Sequence, residues 1–265
     1  MQIPRLIHQT LPDKSDIPEA ILNNIERLKT NNPGWRHNLY DDKDIHSFIR
    51  THYGKSIHRI YAKINPIYGA ARADLFRYLL IAKFGGVYLD IKSGCSQSFD
   101  HWLGSEDTLL LSNWRNGKGE AFEGWGIHPE YGVDNEFENW HIISTPNHPL
   151  ILAVIDRVLW NLRHYSVDRY GVGRLGVLRT TGPIAYTKAI LASLDQHSYR
   201  IFDSHACGLL YSALDSPDKT DHENLFGRHY TQIEEPIVLS LRDRLINILP
   251  FKIQPSPTFQ SDAIS

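Results

Sequence analysis

Asp74, Arg77 and Asp90 are the residues whose types and spacing could do chemistry in this chain. A carboxylate accepts hydrogen bonds from sugar hydroxyls, and a guanidinium can hold a hydroxyl and a phosphate oxygen at once. On a helix, Asp74 and Arg77 would share one face. Asp90 ends an apolar strand pattern, and ligands of open α/β sheets bind at the carboxyl ends of strands. This cluster suits a ligand that carries both phosphates and sugar hydroxyls.

The pattern around these residues predicts a helix, a tight turn and a buried strand. The helix spans roughly residues 68–84, with Leu75 and Leu79 in its apolar stripe and the Asp/Arg pair pointing away from that stripe. A glycine pair ends the helix, because glycine adopts the left-handed conformation at low cost. Residues 87–92 follow with the alternation of a strand. Together these elements would bring the charged groups to one end of the strand.

Strand and helix patterns alternate along the rest of the chain. Further strands are predicted at residues 3–8, 35–40, 108–112, 141–144 and 200–203, and further helices start near residues 16, 41, 146 and 182. This alternation predicts an α/β fold with a mostly parallel central sheet flanked by helices. We expect one domain over residues 1–253 and a mobile polar tail over residues 254–265, which holds two prolines.

Composition narrows the class of protein. The formal charge of -2 offers no general attraction to nucleic acid, so we expect no nucleic-acid partner. No stretch reaches the roughly 20 apolar residues of a transmembrane helix, and the first residues lack the apolar core of a signal peptide. Two cysteines are too few for a disulfide framework and fit a reducing compartment. We therefore expect a cytoplasmic protein, with peripheral association at the inner face of the membrane if its substrates are membrane-linked.

Several short motifs, taken together, resemble the DXD-containing sugar transferases of glycosyltransferase family 32. That family is related to the yeast initiating mannosyltransferase and is similar to the glucosylating domains of large clostridial toxins. The resemblance is densest over the first hundred residues. Its motifs are residues 3–9 (IPRLIHQ), 32–35 (NPGW), 71–78 (ARADLFRY), 85–92 (GGVYLDIK) and 181–183 (TGP).

The resemblance implies a GT-A type, Rossmann-like domain that moves a hexose from a nucleotide diphosphate sugar to a glycan or lipid-linked glycan acceptor. It further implies retention of anomeric configuration and fits a role in capsule or lipopolysaccharide synthesis. Asp74 and Arg77 match helix positions that hold the donor sugar, and Asp90 matches the first acid of the DXD motif. Asp90 would bind Mn²⁺ or Mg²⁺, or the ribose hydroxyls of the donor.

The remaining expected site residues follow from the same resemblance. Arg77, Asp90 and Lys92 are the expected catalytic residues, with Asp90 as the metal ligand. The expected donor-binding residues are His8, Gln9, Asp74, Arg77, Gly86, Tyr88, Asp90, Asn139, Gly182 and His229.

Two positions depart from the family pattern. Lys92 stands where the second acid of the DXD motif usually binds the metal, which puts the divalent cation in doubt. One hypothesis is that this lysine neutralises the diphosphate itself; another is that it swings clear and a later acid helps Asp90 bind the ion. Leu11 stands where a tryptophan commonly stacks on the donor base, so UDP and GDP both remain open.

Competing interpretations stand beside these expectations. Asp74 and Arg77 could form a surface ion pair, and Glu136 and Glu138 could be metal or acceptor contacts or part of a solvated turn. Trp125, in the long loop over residues 113–139, could stack on a sugar or cover the core. For the whole chain, the altered motif favours a non-catalytic sugar-nucleotide or glycan-binding protein as the rival. A nucleotidyltransferase is a weaker rival because its glycine-rich, lysine-bearing phosphate loop is missing.

Overall fold

The computed structural model describes residues 2–214 and 233–240 of the chain. Its strands are β1 (Leu6–Thr10), β2 (Arg36–Tyr40), β3 (Gly86–Leu89), β4 (Gly94–Cys95), β5 (Leu109–Leu111), β6 (His141–Ser144), β7 (Arg200–Ile201) and β8 (Leu209–Leu210). Its α-helices are α1 (Glu19–Asn31), α2 (Asp42–Tyr61), α3 (Gly69–Phe84), α4 (Pro149–Arg163), α5 (Val167–Tyr170), α6 (Gly173–Thr180) and α7 (Pro183–Leu191). The predicted tail at residues 254–265 lies outside the described residues.

Six of the described strands form the central sheet, in the order β2-β1-β3-β6-β5-β7. The pairs β1–β2, β1–β3 and β5–β7 are parallel, whereas β6 runs antiparallel to both β3 and β5. The mostly parallel α/β sheet predicted from the sequence is therefore confirmed, with β6 as the reversed strand. The carboxyl ends of β3 and β5 and the start of β6 meet at one edge, which we call the site edge. Short strands β4 and β8 form a separate antiparallel pair.

The turn between α3 and β3 requires glycine at both of its residues. Gly85 and Gly86 have φ angles of 64° and 97°, in the region that favours glycine. A Cβ atom on Gly86 would lie 2.5 Å from the carbonyl oxygen of Leu6. This close approach lets β3 pair directly with β1, and the turn sends the chain from the helix into the strand within two residues.

Apolar side chains cover both faces of the sheet. Tyr88 and Ile142 point into a cluster with α2, α3, α4 and α7, whereas Val87 and Ile143 point into a second cluster that includes Leu28 of α1. The alternation predicted for β3 is therefore present, but all four of its residues are buried. Strands covered on both faces are typical of parallel and mixed sheets in α/β proteins.

Helix α3 is the best covered of the helices that carry site residues. Every residue from Asp74 to Ala82 is buried, including both charged ones. The apolar stripe predicted from the sequence is present, but the opposite face is enclosed as well. Within the described residues, each helix is too short or too polar to cross a lipid bilayer.

Candidate active site

Asp74, Arg77 and Asp90 converge at the site edge, and we call these three residues the donor cluster. Arg77 Nη2 lies 3.3 Å from Asp74 Oδ1 and 3.0 Å from Asp90 Oδ1. Asp74 and Arg77 are buried, so the interpretation of this pair as a surface ion pair is wrong. The helix presents the pair toward the end of β3 because α3 and β3 are joined by the two-residue glycine turn.

Arg77 is held on several sides. Besides the two carboxylates, its Nη1 donates to the carbonyl oxygen of Asn139, and its guanidinium carbon lies 4.7 Å from the centre of the Tyr88 ring. Burial alone would lower the pKa of Arg77, but the charge of Asp90, with Tyr88 and Asp74, raises it above its ordinary value. Arg77 is therefore a fixed cation whose planar group cannot easily turn away from the site edge.

Asp74 is the inner carboxylate of the cluster. Its Oδ2 accepts a 2.9 Å hydrogen bond from Thr181 Oγ1, and its Oδ1 accepts one of 3.3 Å from Asn139 Nδ2. Burial raises the pKa of Asp74 to about 6, although the Arg77 charge and these hydrogen bonds act in the opposite direction. Both oxygens are thus engaged inside the protein, so Asp74 mainly orients the arginine.

Asp90 is the outer carboxylate, with 27% of its side chain exposed. Its Oδ1 takes the Arg77 contact and a 3.3 Å hydrogen bond from the Tyr88 hydroxyl. Within residues 2–214 and 233–240, the ion pair and the side-chain hydrogen bond of Asp90 both fall on Oδ1, which leaves Oδ2 as the side of the cluster that can meet a ligand. A carboxylate oxygen held in place beside an arginine is suited to accept hydrogen bonds from vicinal hydroxyls.

Buried amides hold the backbone turn after Asp90. Gln9 Nε2 donates to the carbonyl oxygens of Asp90 (3.1 Å) and Ser93 (3.3 Å), and its Oε1 lies 2.9 Å from His37 Nε2. Asn24 Nδ2 donates to the same Ser93 oxygen at 3.0 Å. Gln9, an expected donor-binding residue, is therefore placed where it fixes the turn that carries Asp90.

His8, also expected to bind the donor, is buried between β2 and the glycine turn. Its Nδ1 lies 3.1 Å from the Tyr40 hydroxyl, and its Nε2 lies 3.1 Å from the carbonyl oxygen of Gly85. Burial lowers the pKa of His8 to about 4, so the ring is neutral, donates from Nε2 and accepts at Nδ1. Both nitrogens have partners within the protein.

Four other expected donor-binding residues are placed as follows. Gly86 packs against Leu6, and Tyr88 lies beneath Arg77 with its hydroxyl shared between Asp90 and Thr10. Asn139 contacts both Asp74 and Arg77 of α3. Gly182 precedes α7, next to the threonine that donates to Asp74. His229 lies outside the described residues.

The acids near the end of the long loop are buried. Glu136 accepts from Trp114 Nε1 at 2.8 Å and pairs with His128, so the interpretation of a solvated turn is wrong there. Glu138 lies in a second group at the site edge, the inner cluster, with side-chain exposure of 0%. Its members are Ser112, Glu138, His141 and Ser204. These contacts tie the ends of β5, β6 and β7 together.

Lys92 leaves the donor cluster and lies against Tyr211. Its Nζ is 3.9 Å from the centre of the Tyr211 ring, close to the turn that carries Asp90. Tyr211 is partly buried, and its pKa is raised by burial and then by the charge of Asp90. Arg174, an exposed residue of α6, also acts on the ionisation of Tyr211. Tyr211 therefore has the Lys92 ammonium against its ring and is also affected by the charge of Arg174.

The described side chains do not fit a divalent cation at this position. Such a cation prefers several oxygen ligands, and Asp90 offers one carboxylate whose other oxygen is paired with an arginine. The third position of the motif is a lysine, whose ammonium cannot ligate a metal. Within residues 2–214 and 233–240, no group of three or more His, Cys, Asp or Glu side chains could hold an ion.

Three residues of the site were not among those expected from the sequence. Thr181 begins the TGP motif, and its hydroxyl donates a hydrogen bond to Asp74. Asn24 lies in the apolar stripe of α1 with Ile21 and Leu28, and a polar residue in such a stripe signals a buried partner. Tyr211 gave no such signal, because it reaches the site only through the fold.

Comparisons with known proteins find a family that matches part of the chain. Residues 18–109 match the family described as "Glycosyltransferase sugar-binding region containing DXD motif". Over these residues the chain is similar to that family. The matched region contains α3, the glycine turn and Asp90, so the resemblance identified from the sequence motifs is confirmed. In the matched region the motif itself reads Asp-Ile-Lys.

Two curated relatives of this chain are fungal proteins. Mannosyl phosphorylinositol ceramide synthase CSH1 of Saccharomyces cerevisiae is 27% identical over 182 residues, which cover 69% of this chain and 41% of the relative. Initiation-specific alpha-1,6-mannosyltransferase of Schizosaccharomyces pombe is 25% identical over 208 residues, covering 73% of this chain and 49% of the relative. The chain thus spans less than half the length of either relative.

A solved structure supports the fold assignment. PaToxG Glycosyltransferase superposes with a TM-score of 0.52 at 19% identity, covering 74% of this chain and 72% of that one. At this identity the likeness bears on the fold alone. The expected GT-A type fold is confirmed, and the matched residues 18–109 include β2 and β3 of the central sheet.

Proposed function

We propose that this chain is a glycosyltransferase that transfers a hexose from a nucleoside diphosphate sugar to a glycan or lipid-linked glycan acceptor. The observation that carries the proposal is the convergence of Asp74, Arg77 and Asp90, with only Asp90 open to solvent. Both curated relatives are named for mannosyl transfer, which makes GDP-mannose the first donor to test. A UDP-linked hexose is the second donor to test, because Leu11, at the position where relatives commonly have a tryptophan against the base, does not select one base over the other.

The proposed roles follow from the charges of the cluster. Arg77 holds a sugar hydroxyl or a phosphate oxygen of the donor, because its guanidinium is fixed by the two carboxylates and Asn139. Asp90 accepts hydrogen bonds from vicinal hydroxyls of the sugar or the ribose through its open side. Asp74 keeps the arginine in position. Binding by fixed groups of this kind favours the reactive geometry without a cost of reordering during the reaction.

The proposed reaction breaks the bond between the sugar C1 and the diphosphate oxygen. The oxygen of the acceptor hydroxyl forms the new bond to C1, and the hydroxyl proton leaves to the departing diphosphate. Retention at C1 is carried over from the family resemblance. Exposed Trp125, 5.8 Å from Tyr211 between ring centres, offers an aromatic face for an acceptor sugar at the rim of the cleft.

The proposal also covers the acceptor and the cellular setting. The name of one relative specifies a ceramide-containing lipid product, which favours a lipid-linked acceptor here too. We propose a role in polysaccharide assembly, such as capsule or lipopolysaccharide synthesis, at the cytoplasmic face of a membrane. The rival function is a non-catalytic sugar-nucleotide binder, and the observation that favours it is Lys92 in place of the second acid of the motif.

Turnover of the donor separates the two functions. We expect slow release of nucleoside diphosphate from GDP-mannose or a UDP-hexose, accelerated by an acceptor glycan. Asp90→Asn should lower this rate by at least about 100-fold, since it removes the charge of the ligand-facing carboxylate. Donor binding without any release of diphosphate would favour the binder.

Asp100→Asn is a matched control for Asp90→Asn. Asp100 is also half-exposed, pairs with one arginine (Arg5, 3.2 Å) and accepts from one aromatic side chain (Trp35 Nε1, 3.1 Å). It lies beside the amino ends of β1 and β2, opposite the site edge. We expect Asp100→Asn to leave turnover within about twofold of the wild-type value. Equal losses in both variants would contradict the role assigned to Asp90.

A further inference from the structure

The DXD motif of this chain has a negative residue at its first position and a positive residue at its third. Asp90 keeps a carboxylate, but two residues later the chain has Lys92. An acid at the third position would attract a divalent cation, whereas an ammonium repels one at close range. The charge that departs on the donor diphosphate still has to be stabilised, because it develops at the leaving oxygen.

The structure holds Lys92 firmly beside the turn of Asp90. The Lys92 carbonyl oxygen accepts a 2.8 Å hydrogen bond from the backbone N–H of Ala213. Ser93 Oγ donates to the carbonyl oxygen of Tyr211 at 2.7 Å, and Gly94 pairs with Leu210. The segment after β8 is thereby fastened along residues 92–94. As a result, the Tyr211 ring lies beneath the Lys92 ammonium and fixes the direction of its side chain.

The same cleft gathers further positive charge. Arg77 is paired with Asp90 at its inner end, and exposed Arg174 of α6 acts on the ionisation of Tyr211 and of Glu136. Lys92, against the Tyr211 ring, is therefore not the only cation that acts on this part of the molecule. A diphosphate carries two or more negative charges, so it matches a group of cations better than a site built around one acid.

We propose that Lys92 takes the place of the divalent cation by neutralising the diphosphate of the donor, so that donor binding needs no metal. This inference depends on the proposed function, since it assumes a nucleoside diphosphate sugar in the cleft. In the transfer step the C1–oxygen bond breaks with its electron pair going to the diphosphate, and the ammonium stabilises that charge without giving up its proton. Arg174 adds long-range attraction for the incoming anion.

Donor binding in the presence and absence of metal tests the proposal directly. The full chain is titrated calorimetrically with GDP-mannose and with a UDP-hexose, in excess EDTA and then in Mn²⁺. We expect wild-type affinities that agree within about twofold between the two conditions. Binding that disappears in EDTA and returns with Mn²⁺ would overturn the inference while leaving the proposed function intact. Failure of both donors under both conditions would overturn the two together.

Variants of Lys92 separate its charge from its packing. Lys92→Met keeps an apolar stem over the Tyr211 ring but removes the charge, and we expect turnover to fall about 100-fold without rescue by Mn²⁺. Lys92→Arg keeps the charge and should stay within about tenfold of the wild-type rate. Turnover of Lys92→Met equal to that of the wild type would contradict the proposed role. Thermal unfolding of each variant checks that the fold is kept.

Lys92→Asp restores the family motif and provides the complementary result. We expect this variant to bind Mn²⁺ alone in a calorimetric titration, whereas the wild type binds none at the same concentrations. Its donor affinity should drop at least tenfold in EDTA and recover in Mn²⁺. A wild-type chain that binds Mn²⁺ as tightly as Lys92→Asp would show that the lysine does not exclude the metal.

Discussion

Two buried groups of ionisable side chains lie at the same edge of the sheet, but they differ in their access to solvent. The donor cluster ends in Asp90, with 27% of its side chain exposed, whereas Glu138 and His141 of the inner cluster are 0% and 1% exposed. In both groups hydrogen bonds inside the protein stabilise the charges, although Glu138 Oε1 is buried without a hydrogen-bond partner among the described residues. Buried charge therefore does not mark the site by itself. The distinguishing feature is one carboxylate oxygen left open beside a fixed arginine.

The inner cluster shows what the closed arrangement does. Burial would raise the pKa of Glu138, but hydrogen bonds from His141, Ser112 and Ser204 outweigh it and lower the pKa below its ordinary value. The stabilised carboxylate links residues that follow β5 and β7 to the first residue of β6. Its charge is thus used to join strands. In the donor cluster, part of the charge is kept for a ligand.

Among the substitutions that test this comparison, Arg77→Ala should have the largest effect on stability and on donor binding. The variant leaves Asp74 and Asp90 without their counter-charge, and breaking a buried ion pair in this way costs about 3–5 kcal/mol. We expect a large drop in the free energy of unfolding, measured with denaturant, together with loss of donor binding at a temperature where the variant stays folded. The donor cluster would then be both a structural and a ligand-binding unit.

Arg72→Ala on the same helix is the control. Arg72 pairs with Asp42 at 2.9 Å, but that carboxylate is 46% exposed, and such pairs contribute about 0–1 kcal/mol. We expect little change in stability and unchanged donor affinity. If Arg77→Ala behaved like Arg72→Ala in both measurements, the contrast between buried and exposed pairs on α3 would be lost, and with it the assigned site.

Glu138→Gln should have an intermediate effect, and it should change stability rather than donor turnover. It removes the charge that His141 and the two serines stabilise, and losing one such buried charged partner costs about 1–3 kcal/mol. We expect lower stability in denaturant titration, but the same donor turnover per folded molecule well below the melting temperature. A variant of wild-type stability whose turnover fell tenfold would show that the inner cluster takes part in the reaction.

Much of the fold could be predicted from the sequence because its signals are local. Strand β6 was predicted at residues 141–144, where the structure has it, and α3 was predicted within one residue at its start. Helices α5 and α6 were missed, since they are short and α6 contains two glycines that weaken the helical pattern. Strands β4 and β8 have two residues each, too few for any periodicity to appear.

The part of the site that could be predicted is the part built from elements adjacent in sequence. Asp74, Arg77 and Asp90 lie on elements joined by one tight turn, so their convergence followed from spacing and topology. Tyr211 reaches Lys92 across more than a hundred residues, through the pairing of β4 with β8. Periodicity also could not reveal that the polar side of α3 is enclosed, because residues distant in sequence cover it.

His8→Gln should have the smallest effect. It tests whether His8 is a structural polar residue or one that faces the ligand. Glutamine can keep one donor and one acceptor but does not titrate. Because the pKa of His8 is lowered from 6.5 to about 4, folding favours its neutral form. That stabilisation is complete above pH 6.5 and is lost progressively as the pH falls toward 4. Between pH 7 and 5.5 the free energy of unfolding of the wild type should therefore fall by about 1 kcal/mol more than that of the variant.

Denaturant titrations of both proteins at the two pH values measure this difference, and donor affinity at pH 7 completes the assignment. His37, whose pKa is also lowered to about 4, is present in both proteins and cancels in the comparison. Since both nitrogens of His8 are engaged with Tyr40 and Gly85, we expect donor affinity to change by less than about twofold. A tenfold loss of affinity with an unchanged pH dependence would instead place His8 with the open, ligand-facing residues. Solvent exposure would then no longer distinguish the polar residues that bind the ligand from those that support the structure at this edge of the sheet.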